Sequence, residues 1–504
     1  MKLNVKSKNF RILLFSVIGL AVLGLVILLL SVTAPSDGEG GEDEETAAST
    51  STLDPALVLQ PDLEEKGDIV SITVDNDLGS FTAVLTEQDG EKLWTIEGMD
   101  IERGLLNTAK FESLASTMTN MVARSVIEEK AGDLAQYGLD KPRTTVTVKY
   151  TDGSFVMKIG DVVTSGSANY VLINDEPTVY SYYTYEISSL FTMDWLSMIN
   201  TAVMPSYDSE TAADIKKITV TRKNLDKPII LEKLPEVPED SDSIQVYSYA
   251  FTSPGDVYLD LYSGNEFLAA MFGLTADKAA YVGVTDEIKA QVGLDDPFCE
   301  VDMLVGDVVY RLYIGDAITE EVTDEATGAV STQVTGYYGL CNKVPDVIYV
   351  FNISSLIWAT MEPDAYMSEL FLVPYIYDID TVSYHDNNVD FTVTVTGNND
   401  ENAMYMDGRE IDASRFRSFY QFLVSCRGET MYIDDSRGDF IAEFTYKYED
   451  GRSDTVTFYA SEEDRTVIIA TNGNNVFKTK WNYGTRLREN AEAFLNGGEI
   501  VQTY

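Results

Sequence analysis

The chain has 504 residues, enough for several domains, and carries 82 Asp and Glu against 36 Lys and Arg, a formal net charge of −46. That balance argues against nucleic acid, which is bound through a basic patch, and against lying flat on anionic lipid. Three cysteines, Cys299, Cys341 and Cys426, are too sparse and odd in number for a disulfide framework, so buried thiols are expected, with a Cys299–Cys341 pair as the alternative.

At the N-terminus, Lys2, Lys6, Lys8 and Arg11 precede the apolar run Ile12–Val32, 21 residues long. At a rise of about 1.5 Å per residue the run can cross a hydrocarbon core of about 30 Å. The basic flank places residues 1–11 in the cytoplasm and the remaining chain outside. A cleaved signal peptide is the alternative, although the run exceeds the usual length of such a core. Residues 33–66 mix Gly, Ser, Thr and carboxylates and read as a disordered acidic linker.

Beyond the linker the chain repeats itself. Asp68-Ile69-Val70-Ser71-Ile72-Thr73-Val74 recurs as Asp214-Ile215-Lys216-Lys217-Ile218-Thr219-Val220, and more weakly as Asp378-Ile379-Asp380-Thr381-Val382-Ser383-Tyr384. Gly138-Leu139-Asp140-Lys141-Pro142 matches Gly293-Leu294-Asp295-Asp296-Pro297, and Ile159-Gly160-Asp161 matches Ile314-Gly315-Asp316. The two glycines lie 22 residues apart in both copies (160−138 and 315−293). Ile187-Ser188-Ser189-Leu190 then returns as Ile353-Ser354-Ser355-Leu356. These matches divide the chain into units 67–210, 211–376 and a divergent 377–504, with an insertion near Thr319–Val334 that reads as a long hairpin tip or loop. The recurring anchors are Gly138, Leu139, Pro142, Gly160, Gly293, Leu294, Pro297 and Gly315, and turn geometry explains them, since Gly reaches positive φ and Pro cannot continue a helix.

Within unit one, Thr145–Tyr150 and Ser154–Ile159 flank Thr151-Asp152-Gly153 as a hairpin, and Tyr170–Ile173 with Thr178–Tyr182 form a second around Asn174–Pro177. Phe111, Leu114, Ala115, Met118, Met121 and Val122 mark a helix face, with Asn107 as N-cap. A second, short helix is expected from Ser188 or Ser189 through Leu196. In unit three Phe416, Phe419, Tyr420 and Leu423 share a helix face capped by Asp412 or Ser414. The fold class is therefore α+β: one transmembrane helix, then three tandem repeats of an antiparallel sheet with covering helices.

The string Tyr137-Gly138-Leu139-Asp140-Lys141-Pro142, the hairpin ending in Ile159-Gly160-Asp161, Tyr170 and Val179-Tyr180 in the following strands, and the preceding Trp94-Thr95-Ile96 resemble domain-of-unknown-function family 4340. The resemblance covers nearly all of the ectodomain, but unit three has no Gly-Leu-Asp-Pro string and no Ile-Gly-Asp. It implies a bacterial membrane protein with one N-terminal span and tandem copies of the unit. Such proteins are often encoded beside an ABC-type ATPase, its permease and an auxiliary membrane protein of the gliding-motility type. The implied role is an accessory subunit of an envelope transport complex, and the resemblance brings no catalytic residue with it.

The residues themselves offer few convergent groups. His385 is the sole histidine, so a triad or a zinc site has little to build on. Asp75-Asn76-Asp77-Leu78-Gly79 and Asp434-Asp435-Ser436 lack the spacing of a calcium loop and read as solvated turns. Arg437-Gly438-Asp439 spells a short adhesion tripeptide without a surrounding display loop. Tyr180, Tyr182, Tyr183 and Tyr185 crowd one strand, either as a glycan- or peptide-binding row or as cross-strand packing. The expectation is a non-enzymatic chain with no cofactor or metal, partnered by membrane proteins, with a surface-binding module as the rival role.

Overall fold

The computed structural model describes residues 54–504 apart from Asp89, Tyr207, 237–246, 324–326, Pro363 and 398–402. The expected span at 12–32 and the linker as far as residue 53 lie outside the described residues. Among the described residues no helix is long and apolar enough to cross a membrane.

Among the described residues the strands make three sheets of eight, nine and nine strands. The first sheet contains β1 (Ile69–Asn76), β2 (Gly79–Gln88), β3 (Glu91–Ile96), β4 (Ser125–Glu128), β5 (Thr144–Tyr150), β6 (Gly153–Val162), β7 (Ala168–Ile173) and β8 (Val179–Tyr183). Its order is β3-β2-β1-β5-β6-β7-β8-β4, so two meanders meet at the β1–β5 ladder. The chain leaves β3, forms helix α1 (Thr108–Thr119), adds β4 at the far edge, and returns to the middle. The second sheet (Ile215–Asn352) and the third (Ile379–Lys480) repeat this order, each with one extra short strand beyond the counterpart of β3.

The seam between the meanders carries the same irregularity three times. Val70 is skipped where Ile69 and Ser71 pair with Tyr150 and Lys149. Lys216 is skipped opposite Leu304 and Val305, and Asp380 opposite Lys447 and Tyr448. A bulge lets two residues face one partner and shifts the inward face by one position. Ile215, Ile218 and Val220 are all buried despite a spacing of three and then two, as are Ile379, Val382 and Tyr384.

Helix α1 begins at Asn107, whose side chain accepts the Lys110 N–H, and it buries Phe111, Leu114 and Met118 on the sheet. Trp94 stacks on Phe111 with ring centres 5.5 Å apart. In the third unit, α2 (Ala413–Val424) is capped by Asp412 and buries Phe416, Phe419, Tyr420, Phe422 and Leu423. The second unit has only Gly264–Ala269 at this place. The single short helix expected from Ser188 or Ser189 through Leu196 is instead two helical stretches. One spans Thr184–Ile187 and runs on as a 3-10 turn to Phe191, and Asp194 caps a separate turn at Trp195–Met198. Asp194 accepts from both the N–H and the hydroxyl of Ser197, which fixes the later start. The insertion near Thr319–Val334 extends two strands, Val308–Thr323 and Val330–Cys341, into one long hairpin.

Successive units are tied by an extended connector with one hydrogen-bonding pattern. Between units one and two, Ile199 bridges Leu106, while the Asn107 and Asn200 N–H groups donate to Met198 and Leu105 at 2.8 and 2.7 Å. The same connector continues to Ala202, which bridges Thr275, with Val203 donating to Leu274 at 2.9 Å. Between units two and three, Met367 bridges Leu259, the Asp260 and Ser368 N–H groups donate to Tyr366 and Tyr258, and Gly428 donates to Glu369.

Residues 55–66, counted with the linker on composition, fill that connector position for unit one. Val58 bridges Val122, Leu59 donates to Met121 at 3.0 Å, and Ala123 donates to Leu57 at 2.7 Å. Leu59, Gln60 and Lys66 are buried, and Gln60 bonds the Met118 carbonyl and the Tyr150 hydroxyl. The linker reading fails here because a few apolar side chains and satisfied backbone groups order a short segment against a preformed edge, whatever its mean polarity. The Lys66 ammonium, 2.7 Å from Asp62, holds that carboxyl below the ordinary range, an interaction present at neutral pH and lost as pH falls through the lowered value. Truncating Leu59 to Ala should cost about 2–3 kcal/mol. It should also speed amide exchange at Ala123, whose N–H is bound to Leu57. Unchanged exchange at Ala123 would mean that Leu59 does not hold this strap.

Candidate functional site

The repeated anchors come together in space. Gly138 ends a short 3-10 turn with φ +66°, and Gly293 follows Asp286–Gln291 with φ +68°. In both, the next residue closes a Schellman-type turn: Leu139 donates to Leu134 at 3.1 Å and Leu294 to Lys289 at 2.8 Å. The leucines then plug the back of the sheet. Leu139 is buried with Leu172 and Val179, and Leu294 with Leu340 and Ile348, which are paired cross-strand residues in each case. Pro142 and Pro297 follow the turns, just ahead of the strands that begin at Thr144 and Cys299.

The second motif receives the first. A Cβ on Gly160 would overlap the Tyr137 carbonyl oxygen, and one on Gly315 would overlap that of Val292. The Asp316 N–H donates to the Val292 carbonyl at 2.8 Å. Gly160-Asp161 and Gly315-Asp316 are the residues skipped in the ladder to the next strand, so each Gly-Asp is a bulge opened to admit the turn. The Asp161 and Asp316 carboxyls in turn lie over Gly138 and Gly293, where a side chain would collide with them. Turn geometry alone therefore understates these residues; the signal for their mutual contact was the equal spacing of the two motifs.

Unit three lacks both strings and solves the same edge differently. Gly438 donates to Ala460 at 2.9 Å and Ala460 to Asp439 at 2.8 Å, and the ladder from Ser453–Ala460 to Thr466–Thr471 has no bulge. Arg437 donates to the Gly473 carbonyl and to Asn475 and lies 4.9 Å from the Tyr459 ring centre. The Arg-Gly-Asp tripeptide is thus pinned to the sheet rather than displayed.

The remaining candidates separate. Cys299 and Cys341 are free and buried on strands divided by Val308–Thr323, and Cys426 is also free and buried. Burial pushes the Cys299 thiol up to about 12. His385 is exposed on its strand with Asp390 at 3.4 Å. Asn76 braces the end of β1 by donating to the Leu190 and Met193 carbonyls, while its oxygen accepts the Leu78 N–H. The tyrosine row splits: Tyr182 is in the core and Tyr180 half-buried, while exposed Tyr183 and Tyr185 lie together with Arg124 near Tyr183. Tyr137 donates to Glu128 at 2.6 Å, and that bond is the main reason its hydroxyl is pushed up to about 12.

Between units one and two lies an open cavity of about 220 Å³, lined by Glu102, Leu105, Asn200, Asp346 and Tyr349 with Lys343. The Tyr349 hydroxyl is committed to the Asn200 carbonyl at 3.0 Å, and the Lys343 ammonium lies over the Tyr310 ring at 4.6 Å. Among the described residues no group of three or more His, Cys, Asp or Glu could hold a metal ion.

A charged group sits instead at the junction of units two and three. The Thr471 hydroxyl donates to the Asp256 carbonyl, and Gly255 packs against Val476. Burial raises the Asp256 carboxyl above its ordinary value and nearby Asp454 raises it further, against a hydrogen bond with Asn474.

Residues 94–297 match the family described as Domain of unknown function (DUF4340), a segment that runs from β3 to the second Gly-Leu-Asp string. No curated protein matches the chain.

Two outcomes are expected. Gly160→Ala should destabilise by about 3 kcal/mol, since a backbone carbonyl cannot step aside. Gly166→Ala, at φ +76° in open space, should cost only about 1 kcal/mol from the left-handed backbone. Equal losses in urea unfolding would remove the docking contact as the reason for the glycine. For Asp256 the raised folded value means that its favourable contribution is complete below the unfolded value and is lost as pH rises through the folded one. Asp256→Asn should therefore melt higher than the parent at pH 7, with the gain shrinking toward pH 4; a gain that grows in acid would reverse the assignment.

Proposed function

We propose, starting from the match of residues 94–297 to the family described as Domain of unknown function (DUF4340), that the chain is a non-enzymatic accessory or scaffold subunit of an ABC-transporter-associated cell-envelope complex. In this reading Ile12–Val32 is a retained transmembrane helix, Lys2–Arg11 face the cytoplasm, and the three sheets stand outside a bacterial cell membrane on an acidic linker that ends near residue 53. Its partners are membrane proteins, an ABC permease and an auxiliary subunit, and it takes neither nucleic acid nor a cofactor.

The observation that carries the reading is the use made of the repeated residues. Gly138, Leu139, Gly160 and their counterparts Gly293, Leu294 and Gly315 are committed to docking backbone on backbone, and identical connectors string the units into one body. Repetition of this kind builds extended surface for contact. The transporter neighbourhood comes from the family resemblance and gives that surface a context.

Topology is tested first. A Thr46→Cys chain in intact cells, with any outer wall barrier opened, should react with an impermeant thiol reagent, because the three native cysteines are buried. No reaction there reverses the orientation. Role is tested by purifying the full chain in mild detergent and identifying co-purifying proteins by mass spectrometry. An ATPase and a permease should be recovered, and exchanging the span for an unrelated one separates contacts in the membrane from contacts in the sheets. Recovery of neither, together with retention of cell-wall glycan by the ectodomain, would replace the accessory role with a surface-binding module.

A further inference from the structure

The three sheets share one strand order, so a feature present in a single unit is not required by the fold. Strands β6 and β7 meet between Val162 and Ala168 in unit one, and their counterparts in unit three meet between Ala460 and Thr466. In unit two the ladder runs on past Ile318–Gly336 through Thr319–Val334, Glu320–Gln333, Glu321–Thr332 and Val322–Ser331 to Thr323–Val330. The flanking strands stop short: on the long hairpin, Cys299–Val305 reaches only Val308–Ile314, and Val344–Asn352 reaches only Gly336–Cys341. Beyond Ile318, then, the arm has no strand beside it among the described residues.

Its composition sharpens the point. Every residue of Thr319–Thr323 and Val330–Val334 is exposed, including Val322, Val330 and Val334 at 39, 62 and 36%. Two-stranded ribbons are at best marginally stable alone in water. Open edges are normally guarded by Lys, Pro or short length. Here Lys and Pro are absent, since no Lys, Arg or Pro occurs between Leu312 and Asn342; the edge is blunted only by a bulge at Ile318–Thr319 and by carboxylates. The charged side chains of the described arm are Glu320 and Glu321. A second copy would bring the same carboxylates and a chain of net charge −46, and anionic lipid would be repelled as well.

We propose that this arm is a docking element for a partner protein whose receiving surface is an extended strand edge flanked by Lys or Arg. Backbone pairing supplies the adhesion, the exposed valines supply apolar contact, and Glu320 and Glu321 select a basic partner and reject a second copy. The inference rests on the reading that this chain works through protein contacts; it is independent of whether the partner belongs to a transporter.

The test uses the full chain in membranes of its source organism, with a photoreactive phenylalanine analogue at Val322 or Val330 and, as a control site, at exposed Val162. Irradiation should join Val322 and Val330, but not Val162, to a different protein, at a segment containing Lys or Arg. Glu320→Lys with Glu321→Lys should lower that yield at least fivefold without moving the melting temperature, and Glu320→Gln with Glu321→Gln should lower it less. Cross-linking to a second copy, to lipid or to nothing overturns the proposal, as does a yield indifferent to the charge reversal. An ATPase and permease that co-purify while the arm cross-links to nothing would refute the arm alone. A cross-linked basic protein outside any transporter would leave the arm standing and refute the transporter context.

Discussion

Each sheet depends on one ladder, the pairing of its first strand with the strand that follows the helix. Those strands are distant in sequence, Ile69–Asn76 against Thr144–Tyr150 in unit one. Each belongs by chain order to a different meander, and no hairpin turn sets their register. What sets it is the inward face of the first strand. Its apolar residues stand at i, i+3 and i+5, a pattern that lies on one face only if a bulge absorbs one residue. The skipped residues, Val70, Lys216 and Asp380, are all exposed, so the solvent side bears the irregularity and the core side stays continuous. With that register fixed, the outer strands follow by short turns, and the helix has a single apolar surface to cover.

That seam is legible in the sequence, because the letters that repeat, Asp-Ile followed by alternating apolar residues, are the seam strand itself. The hairpins around Asp152-Gly153 and Asn174-Asp175 and the capped helices are legible for the same reason: their signals are local. Asn174 and Asp175 occupy positive φ, as residues tolerant of that region do in a tight turn. The docking of Gly138 against Gly160 is only half legible. Each string reads as a turn, and nothing in either says that the two touch; only their constant separation of 22 residues in both copies hints at it. The connectors are illegible. Leu57–Leu59, Ala202–Val203 and Glu369 share no letters, because they act through backbone hydrogen bonds that any residue except Pro can make. A composition-based reading consequently assigns Leu57–Lys66 to the linker.

The third unit shows what the missing letters were for. Without Gly-Leu-Asp and Ile-Gly-Asp it has no turn to dock and no bulge to receive one, and Ser453–Ala460 and Thr466–Thr471, its counterparts of β6 and β7, pair without interruption. It closes with a different element. Helix α3 (Trp481–Asn496) buries Tyr483, Leu487, Ala491 and Phe494, and stacks Phe494 on Phe419 and Tyr483 on Phe422 of α2. Arg415 donates to the carbonyls of Ala493, Phe494 and Gly498, satisfying the end of that helix. In units one and two the corresponding stretches are short, broken helical segments, Thr184–Phe191 with Trp195–Met198 and Ile353–Ser355 with Ile357–Thr360, that lead into a connector. Helix α3 thus covers the apolar face of its own sheet, where the first two units pass into a connector.

The distribution of departures from the repeat then has physical meaning. Differences at the two ends of the array, the strap at Leu57–Leu59 and helix α3, satisfy groups that a neighbouring unit satisfies elsewhere. Each of these differences therefore has a local structural use. The hairpin arm of unit two belongs to no end and satisfies no orphaned group; it adds exposed valines and open backbone edges to a sheet already complete without them. Exposed β-branched side chains on an open edge are a liability, and the net negative charge of the chain works against pairing between copies. The same charge that disfavours pairing between two copies favours a surface of opposite charge, so the acidity of the chain and the long hairpin arm of its middle unit act in the same direction.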